Sequence, residues 1–199
     1  MGLFAISDVA RSLRWLARFW DGNRCGGDSY GLTTFAAVKE GEEDELARYL
    51  DLMPVGPESP LARLTQVHCS RLHILRELVY QGGNQTREPL NSAFLIFTAS
   101  FDGDLDELVH DMCASMPAEA DAIWSHCVGY PGAADPEEFR RYVEHNQVHN
   151  HYYLSPFPNA TVRDVRQSLA VRDQVAAFAA EAQGMDADTL QERFLELFG

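Results

Sequence analysis

The chain has 199 residues, of which 46% are hydrophobic and 23% are charged, and its formal net charge is −14 at pH 7. A chain of this length buries roughly 70% of its unfolded surface when it folds, so it requires neither a disulfide framework nor a structural metal ion. The 30 acidic residues outnumber the 16 basic ones. This excludes general nucleic-acid binding, which depends on Lys and Arg displacing counterions.

The remaining global features predict a cytoplasmic protein. The four cysteines form no CxxC pair, so we interpret them as reduced thiols. No stretch approaches the roughly 20 uninterrupted apolar residues of a membrane-spanning helix. Near the N-terminus, arginines interrupt the apolar run, a pattern that is not typical of a secretory signal.

The pattern of apolar residues over 7–20 predicts an amphipathic helix that precedes the main body of the chain. Ser7 is a suitable N-cap, and apolar side chains follow at helical spacing on one face: Val9, Leu13, Leu16 and Trp20. Such a helix can dock on its own domain, on a partner protein or on an anionic membrane. Glycines interrupt the stretch that follows, so we divide the chain into an N-terminal helix and linker, 1–31, and a body, 32–199.

The body opens with strand and helix patterns in the order β-α-β-β-α-β. The predicted strands are 33–39, 64–75, 92–100 and 122–130, and the predicted helices are 42–53 and 104–116. This order predicts an α+β, ferredoxin-like fold, in which helices cover one face of an antiparallel sheet. The third strand is apolar on both faces, which is typical of a central strand. Asp104 and Glu107 form a capping box at the second helix.

A C-terminal αβα tail follows the ferredoxin-like unit. It consists of a helix over 135–145, a strand over 147–154 and a helix over 161–182, and an amphipathic segment over 188–198 ends the chain.

The open face of the predicted sheet needs a cover. Alternation along the strands places Phe94, Ile96 and Trp124 on the face without helices. A second sheet from a partner subunit is the usual cover, and it encloses a cavity. We therefore expect a homodimer that forms a dimeric α+β barrel.

Three segments carry a resemblance to a known superfamily: Thr65–Arg71, Phe101–Gly103 and Val128–Pro131. The chain resembles the dimeric α+β barrel superfamily over about residues 62–170, most closely a group of largely uncharacterised bacterial proteins. The superfamily includes antibiotic-biosynthesis monooxygenases, dye-decolorising peroxidases and chlorite dismutases. The resemblance implies an oxidoreductase that acts on an apolar or aromatic compound. It also implies a catalytic role for Asp102, which stands where those peroxidases have the aspartate of a Gly-x-x-Asp-Gly motif. Ala99 replaces the first glycine, and a plain strand-to-helix turn also explains Asp102.

The strand over 64–75 supplies the other candidate site residues. Alternation puts Gln66, His68 and Ser70 toward the cavity and Val67, Cys69 and Arg71 toward the helices. His68 is the candidate general base, since an imidazole titrates near neutral pH, although a hydrogen-bonded core histidine is the alternative. Thr98 and Trp124 complete the substrate-binding set. We expect Arg71 to form a structural ion pair, unless a bulge brings it to the face of His68.

The histidines of the C-terminal tail suggest a metal site as a second candidate beside the His68 site. If its strand lies beside the fourth strand, His126, His149 and His151 converge, and three imidazoles suit zinc, iron or copper. A haem held by one of these histidines and the absence of any cofactor are equally open. The runner-up function is a non-catalytic ligand-binding or assembly module, attached to a membrane or partner through residues 7–20.

Overall fold

The computed structural model describes Asn23 and residues 27–79, 82–84, 86 and 89–199. Within them the protein has a mixed α+β fold with a three-stranded antiparallel sheet in the order β1-β3-β2. The strands are β1 (Ser29–Ala37), β2 (Val67–Glu77) and β3 (Pro89–Asp102). The helices of the sheet-containing unit are α1 (Glu43–Leu52), α2 (Leu105–Ser115), α3 (Pro117–Trp124) and α4 (Pro136–Asn146), with short 3₁₀ turns at Gly56–Glu58 and Pro60–Arg63.

The central strand β3 divides the sheet into a covered face and an open face. Leu95, Phe97, Ala99 and Phe101 are buried, whereas the residues between them are only partly buried. Side chains alternate across a strand, so the buried set marks the helix-covered face. The predicted central position of this strand is confirmed.

The core lies between the covered face and the helices. Trp124 of α3 packs edge-on against Phe97 of the sheet and against Phe139 of α4, with ring centroids 5.4 and 5.6 Å apart. At the start of α2, an Asp104 carboxylate oxygen accepts the backbone N–H of Glu107 at 3.0 Å. The predicted helices over 42–53, 104–116 and 135–145 are confirmed to within two residues at each end.

The predicted fourth strand, 122–130, is wrong. Residues up to Trp124 belong to α3, and only one isolated bridge, between Val38 and Cys127, links this stretch to the first strand. A proline at the first helical position and three alanines favour the helix. Its apolar residues Ala120, Ile123 and Trp124 follow helical spacing and are buried.

The predicted tail strand, 147–154, does not form either. This segment runs beside β1 through a single bridge between Thr34 and Gln147, and the Val148 N–H donates to the Thr33 carbonyl at 2.8 Å. With two predicted strands lacking, the described residues show neither the ferredoxin-like βαββαβ order nor a dimeric barrel.

Residues 163–199 form a separate compact unit. It holds nearly all of α5 (Val162–Glu181), which confirms the helix predicted over 161–182, and all of α6 (Ala187–Phe198), which shows that the amphipathic segment over 188–198 is helical. The rings of Phe178, Phe194 and Phe198 pack together with centroids 5.2–5.9 Å apart.

Among the described residues, the helices lack the combination of length and apolar character needed to cross a membrane. The helix predicted over 7–20 and its linker lie outside the described residues, except for the last part of that linker.

Candidate functional site

A bulge in β2 decides which side chains face the open side of the sheet. Val67 is paired with Phe101 and Cys69 with Ser100, so His68 is an extra residue between two ladder positions. A bulge of this kind reverses the alternation of every residue that follows it. Arg71 consequently pairs with Thr98 on the open face, and the expectation that it lies under the helices in an ion pair is wrong.

The bulge brings the side chains of the two residues predicted to be catalytic into contact. The Nε2 atom of His68 lies 2.7 Å from Oδ1 of Asp102, in the last position of β3. The second carboxylate oxygen, Oδ2, accepts the backbone N–H of Val162 at 2.7 Å. The Asp102 side chain is 13% exposed and that of His68 is 27% exposed. Asp102 is thus held from two sides, while the imidazole still reaches solvent.

Tyr153 covers the open face next to this pair. Its hydroxyl lies 2.8 Å from Oγ of Ser29 and 2.5 Å from Oγ of Ser100, and its ring lies against Gly31. A Cβ atom at position 31 would approach the ring to 2.8 Å, so only glycine leaves room for it. The Asn150 side chain fixes the same segment, since its amide donates to the Gly31 carbonyl at 2.7 Å.

A groove of about 330 Å³ lies beside Tyr153 on the open face. Its polar wall consists of Thr33, Arg71, Thr98, Ser100, Asn150 and Tyr152. Ser100 lies two residues before Asp102 on the same face, a distance of about 7 Å along a strand. The His68–Asp102 pair therefore lies next to the groove, although neither residue belongs to its lining.

The structure places the predicted substrate-binding residues in different parts of the molecule, and not all of them face the groove. Thr98 lines the groove. Ser70 borders it, but its partner is the buried Ala99, so its side chain is directed to the covered face. Trp124 is 2% exposed in the core, and its predicted place in the pocket is wrong because the segment is a helix. The Gln66 carbonyl accepts the Asp102 N–H at 2.9 Å, and its side-chain nitrogen is buried without a partner in the described part of the chain.

The three histidines of the predicted metal site are not brought together. His126 Nδ1 lies 3.0 Å from a carboxylate oxygen of Glu42, whereas the rings of His149 and His151 contact each other at 5.5 Å. Across the described residues, no group of three or more His, Cys, Asp or Glu side chains has a metal-binding arrangement. The expected convergence depended on two strands that do not form.

A second cavity, of about 600 Å³, lies beside α4. Two of its charged lining residues, Glu138 and Arg141, already form an ion pair with each other. The Tyr142 ring borders it, but burial raises the pKa of the Tyr142 phenol.

Tyr153, Ser29 and Ser100 were not among the site residues predicted from the sequence. Ser29 is 124 residues from Tyr153, and no local pattern connects positions so far apart. The small residue at position 31 in an otherwise β-prone segment was the available signal, because a glycine inside a strand often marks a close approach by another group.

These contacts define the candidate site by geometry alone. Comparison with known proteins finds no matching family model, no matching curated protein and no matching solved structure.

Proposed function

We propose that this protein binds a small molecule in the open-face groove and that His68 transfers a proton to or from it. The observation that carries the proposal is the 2.7 Å contact between His68 Nε2 and Asp102 Oδ1. A carboxylate that holds one ring nitrogen of a histidine fixes the orientation of the ring and its tautomer, as catalytic histidines require.

The contact supports one of the two ring nitrogens as the base. Because an ionised carboxylate only accepts hydrogen bonds, Nε2 carries the hydrogen and Nδ1 keeps its lone pair. Within the described residues, Nδ1 of His68 has no hydrogen-bond partner. Nδ1 is therefore the atom that would accept a proton from a bound molecule, and the adjacent Asp102 would stabilise the imidazolium that forms.

The groove supports the binding half of the proposal. Its wall combines hydroxyl, amide and guanidinium groups with the aromatic rings of Tyr152 and Tyr153. A volume of about 330 Å³ lies in the range typical of small-molecule sites. The redox chemistry that the resemblance implies, a haem cofactor and the homodimer expected from the open sheet face stay predictions. The alternative module attached through residues 7–20 also stays a prediction, because that segment lies outside the described residues.

Nuclear magnetic resonance tests both halves. A fragment screen should shift the backbone amide signals of Gly31, Thr98 and Ser100, and Thr98→Phe should abolish binding by filling the groove. Thr65→Phe is the matched control, since Thr65 is exposed and does not line the groove. Fragments that shift no groove signal, or that bind Thr98→Phe as well as the wild type, would contradict the binding half.

The ¹⁵N signals of the His68 ring test the proton-transfer half. The neutral ring should be the Nε2–H tautomer, and Asp102→Asn should weaken that preference, because an amide can also donate. With an identified substrate, His68→Gln should lower turnover about 100-fold. His73→Gln, a change at an exposed histidine of β2, should leave turnover unchanged. A wild-type ring protonated on Nδ1 would refute the assignment.

A further inference from the structure

Arg71 is the charged residue among the described residues that line the groove. It lies on the open face opposite Thr98 and lines the groove with it. Among the described residues, no carboxylate forms an ion pair with its guanidinium.

Arg48, Arg163 and Arg166 also lack an ion pair in the described part of the chain, but of these four arginines it is Arg71 that lines the groove. Acidic side chains lie within 4 Å of Arg63, Arg76, Arg140, Arg141, Arg172 and Arg193. The chain has 30 acidic residues and 16 basic ones, so acidic partners are abundant. An arginine that faces a groove without one has its donors available to a ligand.

The rest of the groove is also suited to a negative charge. The described part of its lining contains no aspartate and no glutamate. The hydroxyls of Thr33 and Thr98 lie in the same cross-strand row as Arg71, and they can donate hydrogen bonds to an anion. Tyr152 is 80% exposed and offers an aromatic face to the apolar part of a ligand.

We infer that the molecule bound in the groove carries a carboxylate, which Arg71 binds and the threonine hydroxyls support. This inference rests on the proposed function, because it names the class of molecule that the groove takes. A guanidinium presents two parallel N–H donors that match the two oxygens of a carboxylate. Arg71 supplies one positive charge to the groove, and the chain as a whole has a net charge of −14. This balance favours a monoanion over a dianionic phosphate.

A pair of probes of nearly equal shape tests the inference. Benzoate and benzamide differ in charge but share the ring, and their affinities can be measured by titrating the 199-residue chain while recording its backbone amide signals. Benzoate should bind at least tenfold more tightly than benzamide, and added salt should reduce that preference. Arg71→Gln should remove the preference. The matched control is Arg48→Gln, at an exposed arginine of α1 that does not line the groove.

The outcomes separate this inference from the proposed function. If benzamide shifts the groove signals as strongly as benzoate, or if Arg71→Gln keeps the benzoate preference, the carboxylate assignment is wrong and the groove remains a binding site. If neither probe nor any screened fragment shifts those signals, the proposed function fails as well. If phenyl phosphate binds more tightly than benzoate, the choice of a monoanion is wrong.

Discussion

Replacing Gly31 with alanine tests the packing of the Tyr153 ring against β1 in the wall of the groove. The added Cβ atom would lie 2.8 and 2.9 Å from two atoms of the Tyr153 ring, closer than real Cβ contacts allow, so the ring must move. The Tyr153 hydroxyl then loses its hydrogen bonds to Ser29 and Ser100, each worth about 1 kcal/mol. Alanine is more stable than glycine in a strand by roughly 0.5–1 kcal/mol, which offsets part of this loss. We expect Gly31→Ala to lower the free energy of unfolding by about 1 kcal/mol.

A double-mutant cycle isolates the contact. In a Tyr153→Ala background the obstruction is gone, and Gly31→Ala should instead stabilise the protein by roughly 0.5 kcal/mol. The free energies come from urea unfolding followed by circular dichroism and tryptophan fluorescence. In a Tyr152→Ala background, the control at an exposed neighbour, the cost of Gly31→Ala should stay as in the wild type. If Gly31→Ala is stabilising in the otherwise wild-type protein, or costs the same with and without Tyr153, the reasoning about this contact is wrong.

Two further predictions concern the core and a helix start. Burial raises the pKa of the Cys127 thiol from 9.0 to about 11, so its contribution to stability is complete below pH 9 and is lost as the pH rises toward 11. The free energy of unfolding should fall by on the order of 2 kcal/mol over that interval. The fall should be smaller in Cys127→Ala and the same as in the wild type in Cys69→Ala, as urea titrations at pH 8, 9.5 and 11 would show. Asp104→Ala should cost about 1 kcal/mol by removing the cap of α2, whereas Asp104→Asn should keep it; equal losses in both variants would contradict the capping assignment.

Local signals were sufficient for most helices and for the central strand. The cap at Asp104 and the apolar spacing in α2 and α4 each act within a few residues, so the sequence contains them in full. The same holds for β3, whose two apolar faces indicate a strand with neighbours on both sides. Local signals were ambiguous between Pro117 and Tyr130, because a short apolar run fits a buried helix as well as a strand.

The sequence made His68 and Asp102 separate candidates but did not predict that they contact each other. Each residue was a candidate for its own local reason, but strict alternation gave no account of how β2 meets β3. A single extra residue at position 68 changed the facing of Cys69, Ser70 and Arg71 together. Bulges depend on how two strands pair, and this pairing joins residues 34 positions apart at the His68–Asp102 contact.

The sequence by itself determined the composition of the site, since it specified which chemical groups were available and which short segments would be helical or extended. Only the tertiary structure decided which of those groups meet. It placed Arg71 in the groove, Trp124 in the core and the Tyr153 hydroxyl between two serines. The physical reason is that strand register and long-range packing are set by the total burial of the sheet faces, a sum over residues distant in the chain, whereas helix caps and turn preferences depend on immediate neighbours.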